Sequence, residues 1–534
     1  MTSADLPLQG LVVRVTWDAA VPAGLDASAV EAAVAVLGQL GATICDSASV
    51  AANGADTSCH VAVCVPGHHG TAPHSVPLDR APLVTITGAG LLGDVDGIPE
   101  GTLAHAAGLV IAGAAVVAAW STTDVQVDCG AVVLQVLLPV AMAASYRTPH
   151  REPSAPVSVG TGWVASDTAS DDDRAAFDRL LQSLGEQRTD PVAVADEAQM
   201  WRLPVCAFLP VGDHQPPHRT HPPAHHANPP AIRPHPRPGV APLSGVVVCD
   251  LTAMWAGPLA TWLLASLGAD VHKVEPSTRR DGLRSLDGTG LHPAGTEPAR
   301  GDVSGLFNAL NRGKQIHDLD LRHPADRLRF ESRVARSHVV IDSFSRRVMP
   351  NFGYDPTQLR ALRPDVVTVS VTAFPADHPW QVALGPGIHA ASGLGLLKHG
   401  VAAMPTVAYP DPVTGLTAFV ETLAALWSAR ERGHATHRDV TMLASTTPIV
   451  AYAPASGAQR VARRDPDLGR RLLDDPQMAE CWQAVDDAAG HHRYPSTPFS
   501  GAWSPPVLAA VAAIDTVIDT VIDTVPRRKA ASSA

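Results

Sequence analysis

Hydrophobic and polar positions change rhythm along this chain. "GLVVRVTWDAAVPAGLDASAVEAAVAVLGQLGATICD" (10–46) opens on a β-branched run, passes through an apolar helical pattern, and closes on Gly before a second run. The same order returns in "GVVVCDLTAMWAGPLATWLLASLGADVHKVEP" (245–276), where Gly257-Pro258 opens a helix and Gly268 ends it. Strand, helix and strand in that order predict a βαβ unit and a parallel sheet. "LGQLGATI" matches "LASLGADV", and "APLVTITGAG" (81–90) resembles "RPDVVTVSVTAF" (363–374). "GLVIAGAAVVAAWS" (108–121) matches "GLTAFVETLAALWS" (415–428) without a gap. These echoes predict an internal duplication with two divergent copies.

Two stretches carry no charge, "LAHAAGLVIAGAAVVAAW" (103–120) and "CGAVVLQVLLPVAMAASY" (129–146). Each reaches the lower length limit for a membrane span, about 17–25 residues. Both are rich in Ala and Gly, which suits tight helix packing, and no Lys/Arg cluster flanks the pair as an orientation signal. Buried helices are the expectation, and a membrane hairpin the minor alternative. Residues 213–240 are a Pro/His-rich joint, "DHQPPHRTHPPAHHANPPAIRPHPRPG" over 213–239, an extended spacer that neither helix nor ladder accommodates. Its six histidines suit a polar linker of biased composition; a metal-binding tract is the sharper alternative. The chain ends in low complexity over 511–534.

At 534 residues the chain is long enough for two or more domains with real cores. A formal charge of -12 argues against a nucleic-acid partner, because phosphate binding wants a basic face. Seven scattered cysteines without a C-x-x-C pair suit reduced thiols in a cytoplasmic protein. "MTSADLPLQG" has neither the basic nor the apolar region of a secretory signal.

Asp411 is the sole acid of "AYPDPVTGLTAF" (408–419) and sits between Pro410 and Pro412. A helix N-cap with Pro at N1 is one role for it. In the ungapped match Gly108 pairs with Gly415, so the counterpart of Asp411 is Ala104. A shared cap would keep a capping residue in both copies; the asymmetry suggests one working site and one supporting half.

The second half resembles the class III (CaiB/BaiF-type) CoA-transferases. The likeness rests on "DLTAMWAGPLATWLLASLGADVHKVEP" (250–276), "FNALNRGKQIHDLDLRHP" (307–324), "ARSHVVIDSFSRRVMPNFGYDPTQLRALRPDVVTVSVTAF" (335–374) and "YPDPVTGLTAFVETLAALWSARERG" (409–433), in family order. "GHHRYPSTPFSGAWSPP" (490–506) looks like the end of the family's chain. The N-terminal half is a fainter copy. It lacks Asn-Arg-Gly-Lys, and its segment "GTGWVASDTASDDDRAAFDRLLQSL" (160–184) looks like the small domain that in the family follows the catalytic acid. The resemblance implies an α/β fold of parallel-sheet, Rossmann-like βαβ units with interlocked helices. Residues 1–212 would be a degenerate half that includes a small-domain-like segment (157–200), and 241–510 the catalytic half. Since two family chains interlock as a dimer, this chain is expected to form a homodimer or a pseudo-dimer of its own halves.

The implied reaction moves CoA from an acyl-CoA to a small carboxylic acid, through an aspartyl anhydride and an aspartyl-CoA thioester, with no metal. Asp411 holds the nucleophile's position, at Asp-x-x-x-Gly spacing from Gly415. Arg312 and Lys314 of the Asn311-Arg312-Gly313-Lys314 run look like contacts to CoA, whose ADP phosphates suit cations; a solvated surface turn is the plainer role. Lys273 stands near the nucleotide in this scheme, and Trp255, Ala256 and Gly257 line the pantetheine channel. Ser345 of "SFSRR" stands where the family has Arg, with Arg346 or Arg347 as substitutes. Racemases of this fold use a His near "GPGIHAASG" (385–393); His389 is displaced from that position and reads as a packing or hydrogen-bonding residue. An acyl-CoA α-epimerase and a non-catalytic CoA-binding protein stand as alternatives. Loop 375–405 is expected to choose the acid.

Overall fold

The computed structural model describes residues 6–9, 11–17, 25–46, 61–65, 81–92, 97–147, 153–167, 171–185, 189–210, 239–284, 304–396, 400–433, 435–452, 465–487 and 490–503, with isolated positions at 95, 150, 506 and 508. Nearly all of the Pro/His-rich joint and the whole low-complexity tail lie outside the described residues.

Two mixed layers of sheet and helix dominate. The first sheet holds β1 (Val12–Trp17), β2 (Thr43–Asp46), β3 (Val61–Val65), β4 (Leu83–Thr87) and β5 (Val125–Asp128), in the order β2-β1-β3-β4-β5 and parallel throughout. A small antiparallel sheet follows, β6 (Val157–Val159), β7 (Gly162–Ser166) and β8 (Val205–Ala207). The second large sheet holds β9 (Val247–Leu251), β10 (Asp270–Val274), β11 (Gln315–His317), β12 (Val339–Asp342), β13 (Val367–Thr372) and β14 (His437–Thr441), parallel in the order β11-β10-β9-β12-β13-β14. A hairpin of β15 (Trp482–Asp487) and β16 (Gly490–Pro495) precedes β17 (Phe499–Gly501). The runs β2-β1-β3-β4-β5 and β10-β9-β12-β13-β14 follow one order. Helices Leu25–Gln39 and Ala256–Ser266 fall at one equivalent step, and Thr102–Ser121 and Pro410–Arg432 at the other.

The uncharged stretches are core helices. Thr102–Ser121 is long and apolar enough to cross a membrane, yet every one of its residues is buried inside the protein. Its small residues allow close approach: a Cβ on Gly108 would stand 2.4 Å from that of Ala32, and one on Gly113 would stand 2.6 Å from the Phe419 ring. The second stretch breaks into Cys129–Val136 and Leu138–Tyr146, bent by 86°. Pro139 enters the second helix, and the Asp128 carboxylate accepts the Gly130 N–H at 2.9 Å to start the first.

The halves interpenetrate. β17, near the end of the chain, pairs antiparallel with β5 and extends the first sheet. Tyr146 and Tyr494 share a hydroxyl hydrogen bond of 2.6 Å. One apolar core runs through both halves, from Leu8 and Val13 through Val110 and Trp262 to Phe419 and Phe499. Buried aliphatic and aromatic side chains stabilise by about 1.5–3 kcal/mol each, so this shared core binds the halves into one body. The lobe of β6, β7 and β8 keeps its own core, with Val164, Phe177, Leu180 and Val194. Its other face packs Ala165, Cys206 and Phe208 against Phe374, Ile388, Ala391 and Met442 of the second half.

Candidate active site

Asp411 lies in the first turn of the helix Pro410–Arg432. It is not the N-cap. Tyr409 occupies that position with helical dihedrals, and no side chain caps the helix. The cap role is thereby corrected: Pro410 already fills the first helical position, which puts Asp411 one residue too far in to cap. Its own N–H donates to the Ala408 carbonyl at 3.0 Å. The carboxylate is left for other uses, and the residue as a whole is mostly buried.

It faces a tight backbone turn. Leu384 precedes the short helix Gly385–Ala391, whose first residues are Gly-Pro-Gly. The Gly385 N–H is hydrogen-bonded to the Asp411 carboxylate. A Cβ at 385 would stand 2.0 Å from Asp411 Oδ2, so this approach requires glycine. Burial pushes the Asp411 carboxyl up to about 7, and the nearby charge of Asp167 raises it further against the pull of the Gly385 N–H. A carboxylate with a raised pKa is a better nucleophile once ionised, and near neutrality a large share is ionised.

Asp167 comes from the other half, just past β7. Its Oδ2 accepts the Gly387 N–H at 2.9 Å and the Leu384 N–H at 3.3 Å. Burial pushes its carboxyl, too, up to about 7. Gln199 of the same lobe clamps the loop two residues before Leu384: its Nε2 donates to the Val382 carbonyl and its Oε1 accepts the Val382 N–H, both at 2.8 Å. Sequence reasoning missed Asp167, Gln199 and the Leu384–Gly387 turn as site residues. The only local signal was Gly-Pro-Gly, in which two glycines flank a residue with no N–H.

His389 sits behind this turn and is buried. Its Nε2 is 2.9 Å from the Ala403 carbonyl, which requires a proton there, so Nδ1 accepts the Tyr409 hydroxyl at 2.8 Å. Burial lowers its pKa to about 4. It is a neutral, doubly bonded residue that holds Tyr409 at the start of the Asp411 helix.

The residues expected to hold CoA lie elsewhere, and most are enclosed. Arg312 and Lys314, the residues expected to meet phosphates, are both buried and already bonded. The Arg312 guanidinium stacks over Trp262 at 4.6 Å from the ring centroid and donates to the Ala309 and Pro495 carbonyls. Lys314 Nζ donates to Asp250 at 3.1 Å, Thr261 at 2.8 Å, the Pro258 carbonyl at 3.0 Å and Asn311 at 2.9 Å. Burial lowers Lys314 to about 8, although Asp250 opposes the fall. Asn311 in turn donates to the Phe307 carbonyl. Lys273, equally buried, donates to the Thr252 carbonyl at 2.6 Å and to Asp281 at 3.1 Å. Burial lowers its affinity for a proton, but Asp281 and Asp250 more than offset this and hold its pKa above the ordinary lysine value. Stripping these cations from their partners to meet a phosphate would leave buried carboxylates unpaired.

Trp255, Ala256 and Gly257 begin the helix Ala256–Ser266 and are buried there. A Cβ on Gly257 would strike the Thr252 side chain, and one on Gly415 would stand 2.6 Å from the Ala256 carbonyl. At both positions the close packing leaves no room for a side chain. Arg346 is partly buried and spans Asp439 at 2.8 Å, Thr372 at 2.9 Å and the Phe374 carbonyl at 2.7 Å. A cavity of about 110 Å³ lies farther along the Asp411 helix, between Leu109, Thr417 and Ser445, and neither Asp411 nor Asp167 lines it.

Residues 243–489 match the family model described as CoA-transferase family III. A succinate–glutarate CoA-transferase from Agrobacterium fabrum is 31% identical over 217 residues, which cover 39% of this chain and 53% of that protein. An acetyl-CoA:oxalate CoA-transferase from Acetobacter aceti is 28% identical over 218 residues, 40% of this chain and 54% of that one. Among solved structures, a CAIB/BAIF family protein from Brucella suis is 24% identical with a TM-score of 0.37, over 47% of this chain and 65% of that one. The chain spans about half the length of the curated relatives it matches.

Proposed function

We propose, from the match of residues 243–489 to the model of CoA-transferase family III, that the chain transfers CoA from an acyl-CoA to a carboxylic acid, with Asp411 as the carrier. The observation that carries this reading is the Asp411 carboxyl itself. It is free of any capping role, set at a helix start between two prolines, and backed by the Gly385 N–H.

The ionised Asp411 attacks the thioester carbonyl. The C–S bond breaks, CoA leaves as a thiolate, and an acyl-aspartyl anhydride remains. The thiolate then attacks the aspartyl carbonyl of the anhydride, which releases the donor acid and leaves an aspartyl-CoA thioester. The acceptor carboxylate attacks that thioester, forms a new anhydride, and departs as acyl-CoA when the thiolate returns to the acceptor's carbonyl. The Gly385 N–H, bonded to the Asp411 carboxyl, is placed to meet the negative charge that gathers on the aspartyl oxygen when the thiolate or the acceptor attacks the Asp411 carbonyl.

In this reading the two halves stand in for two interlocked subunits, and the protein works in the cytoplasm. The shared core and the pairing of β17 with β5 favour the pseudo-dimer. The test is mass spectrometry of the full chain mixed with a panel of acyl-CoAs, with hydroxylamine as a trap. A CoA adduct or hydroxamate on the peptide that holds Asp411, absent from Asp411→Asn, is the expected result. Acyl-CoAs that bind and exchange their α-proton without modifying the protein would overturn it in favour of epimerisation.

A further inference from the structure

We propose that Asp167, carried by the N-terminal lobe, is the positioning residue of Asp411: it fixes the Leu384–Gly387 turn against the Asp411 carboxyl and presents a second carboxyl to it. The inference deepens the reading of Asp411 as nucleophile and rests on it for the catalytic consequence alone.

Three observations carry it. Asp167 holds two N–H groups of the turn, Leu384 and Gly387, on either side of the Gly385 N–H that bonds Asp411. Pro386, between them, has no N–H to offer. One side chain therefore sets the direction of the turn's backbone donor to Asp411, the carboxyl's other backbone bond coming from its own N–H. Second, Asp167 is itself anchored. Its N–H donates to the Pro204 carbonyl at 3.0 Å, Ser166 pairs with Val205, and Gln199 grips Val382 from the same lobe. The loop is thus held at Val382, Leu384 and Gly387 by residues of the other half. Third, the lobe's face packs into the apolar wall under the turn, where Cys206 stands against Gly387: a Cβ there would be 3.0 Å from Sγ.

The electrostatic consequence follows from what surrounds the pair. Asp167 is the charged group that bears on Asp411. His389 and Tyr409 are neutral near pH 7, and the Cys206 thiol beside Asp167 is held protonated by burial. No cation among the described residues bears on either carboxyl, so the two compete for a proton near neutrality and titrate as a pair. Ionising Asp411 for attack is easier when Asp167 keeps the proton. Conversion of Asp411 to a neutral anhydride removes the repulsion, which favours the acylated state.

The test uses the full chain, with Asp167→Asn and Asp167→Ala. Asn keeps a carbonyl oxygen for the turn and removes the charge; Ala removes both. Infrared difference spectra across pH, with Asp411→Asn to assign the band, read the Asp411 titration without any acyl-CoA. In Asp167→Asn its midpoint is expected to fall by about one pH unit. In Asp167→Ala the rate of aspartyl-CoA formation is expected to drop about 10²-fold, the cost of misplacing a reacting group by about 1 Å, with Asn losing less. A titration unmoved in Asp167→Asn together with wild-type acylation of Asp167→Ala would overturn the proposal. Should Asp167→Ala fail to fold, the Asn titration decides. Should no acyl-CoA modify the unmutated chain, the transferase reading fails, and the infrared arm still decides whether Asp167 acts on Asp411.

Discussion

Gly385→Ala is the sharpest probe of the site, because it adds one methyl group at the contact the chemistry depends on. That Cβ would stand 2.0 Å from Asp411 Oδ2 and 2.7 Å from the Ala408 Cβ. Non-bonded atoms rest about 3.5–4.0 Å apart, so the turn and the carboxyl must part by roughly 1 Å or more. The turn cannot give easily, since Asp167 and Gln199 hold it on both sides. The Asp411 backbone is fixed between two prolines, so its carboxyl swings away and loses the Gly385 N–H. A displacement of about 1 Å at a reacting group costs about 10²-fold in rate, or about 2.7 kcal/mol of barrier. The accompanying loss of stability is about 1–3 kcal/mol, the usual range for an overpacked site. The assay is the single-turnover rate of aspartyl-CoA formation, with the thermal midpoint measured alongside. Gly38→Ala is the matched control: it lies in the helix Leu25–Gln39 with nothing within 4 Å of an added Cβ, so it should stabilise slightly and leave the rate alone. Wild-type acylation by Gly385→Ala would refute the placement of Asp411 against this turn.

Two further predictions concern stability. The folded chain holds the Asp411 proton up to about pH 7, whereas the unfolded chain releases it near 3.8. Between those values the group costs stability as pH rises, by at most about 1.4 kcal/mol per pH unit. Asp411→Asn removes that penalty, so its denaturation midpoint relative to the unmutated chain should climb from pH 5 to pH 8; a constant gap would contradict the raised pKa. Lys314→Ala strips a partner from the fully buried Asp250 and should cost about 3–5 kcal/mol in a denaturant titration. Its folded fraction should bind CoA as before, and a weakened CoA affinity at unchanged stability would restore Lys314 to the nucleotide site.

Local pattern explains what was legible and what was not. The strands β1, β2, β4, β9, β10 and β13 and the helices between them announce themselves through β-branched runs, apolar periodicity and terminal glycines, because each is stabilised mainly by burying its own residues. Asp411 stands out as a candidate for a related reason: a lone acid among small and apolar residues is costly unless something uses it. The burial of the "NRGK" cations was not legible, because a charged residue in a short polar run usually reads as a surface group. Here the run ends the helix Gly305–Asn311 beneath β9, where Asp250 and Thr261 enclose Lys314 and Trp262 and Tyr494 enclose Arg312. Their partners lie as far as 183 residues away along the chain, and burial of a charge depends on those partners rather than on its neighbours in sequence. Asp167 is the same case seen from the other side. Within "WVASDTAS" it is one more polar residue at the end of a strand, and the turn it holds lies 220 residues on. What gives it a role is the docking of the lobe onto the second half, through Ala165, Cys206 and Phe208 against Ile388 and Ala391. The composite site proposed above rests on that contact: the N-terminal half supplies, from its lobe, the carboxyl whose charge bears on Asp411.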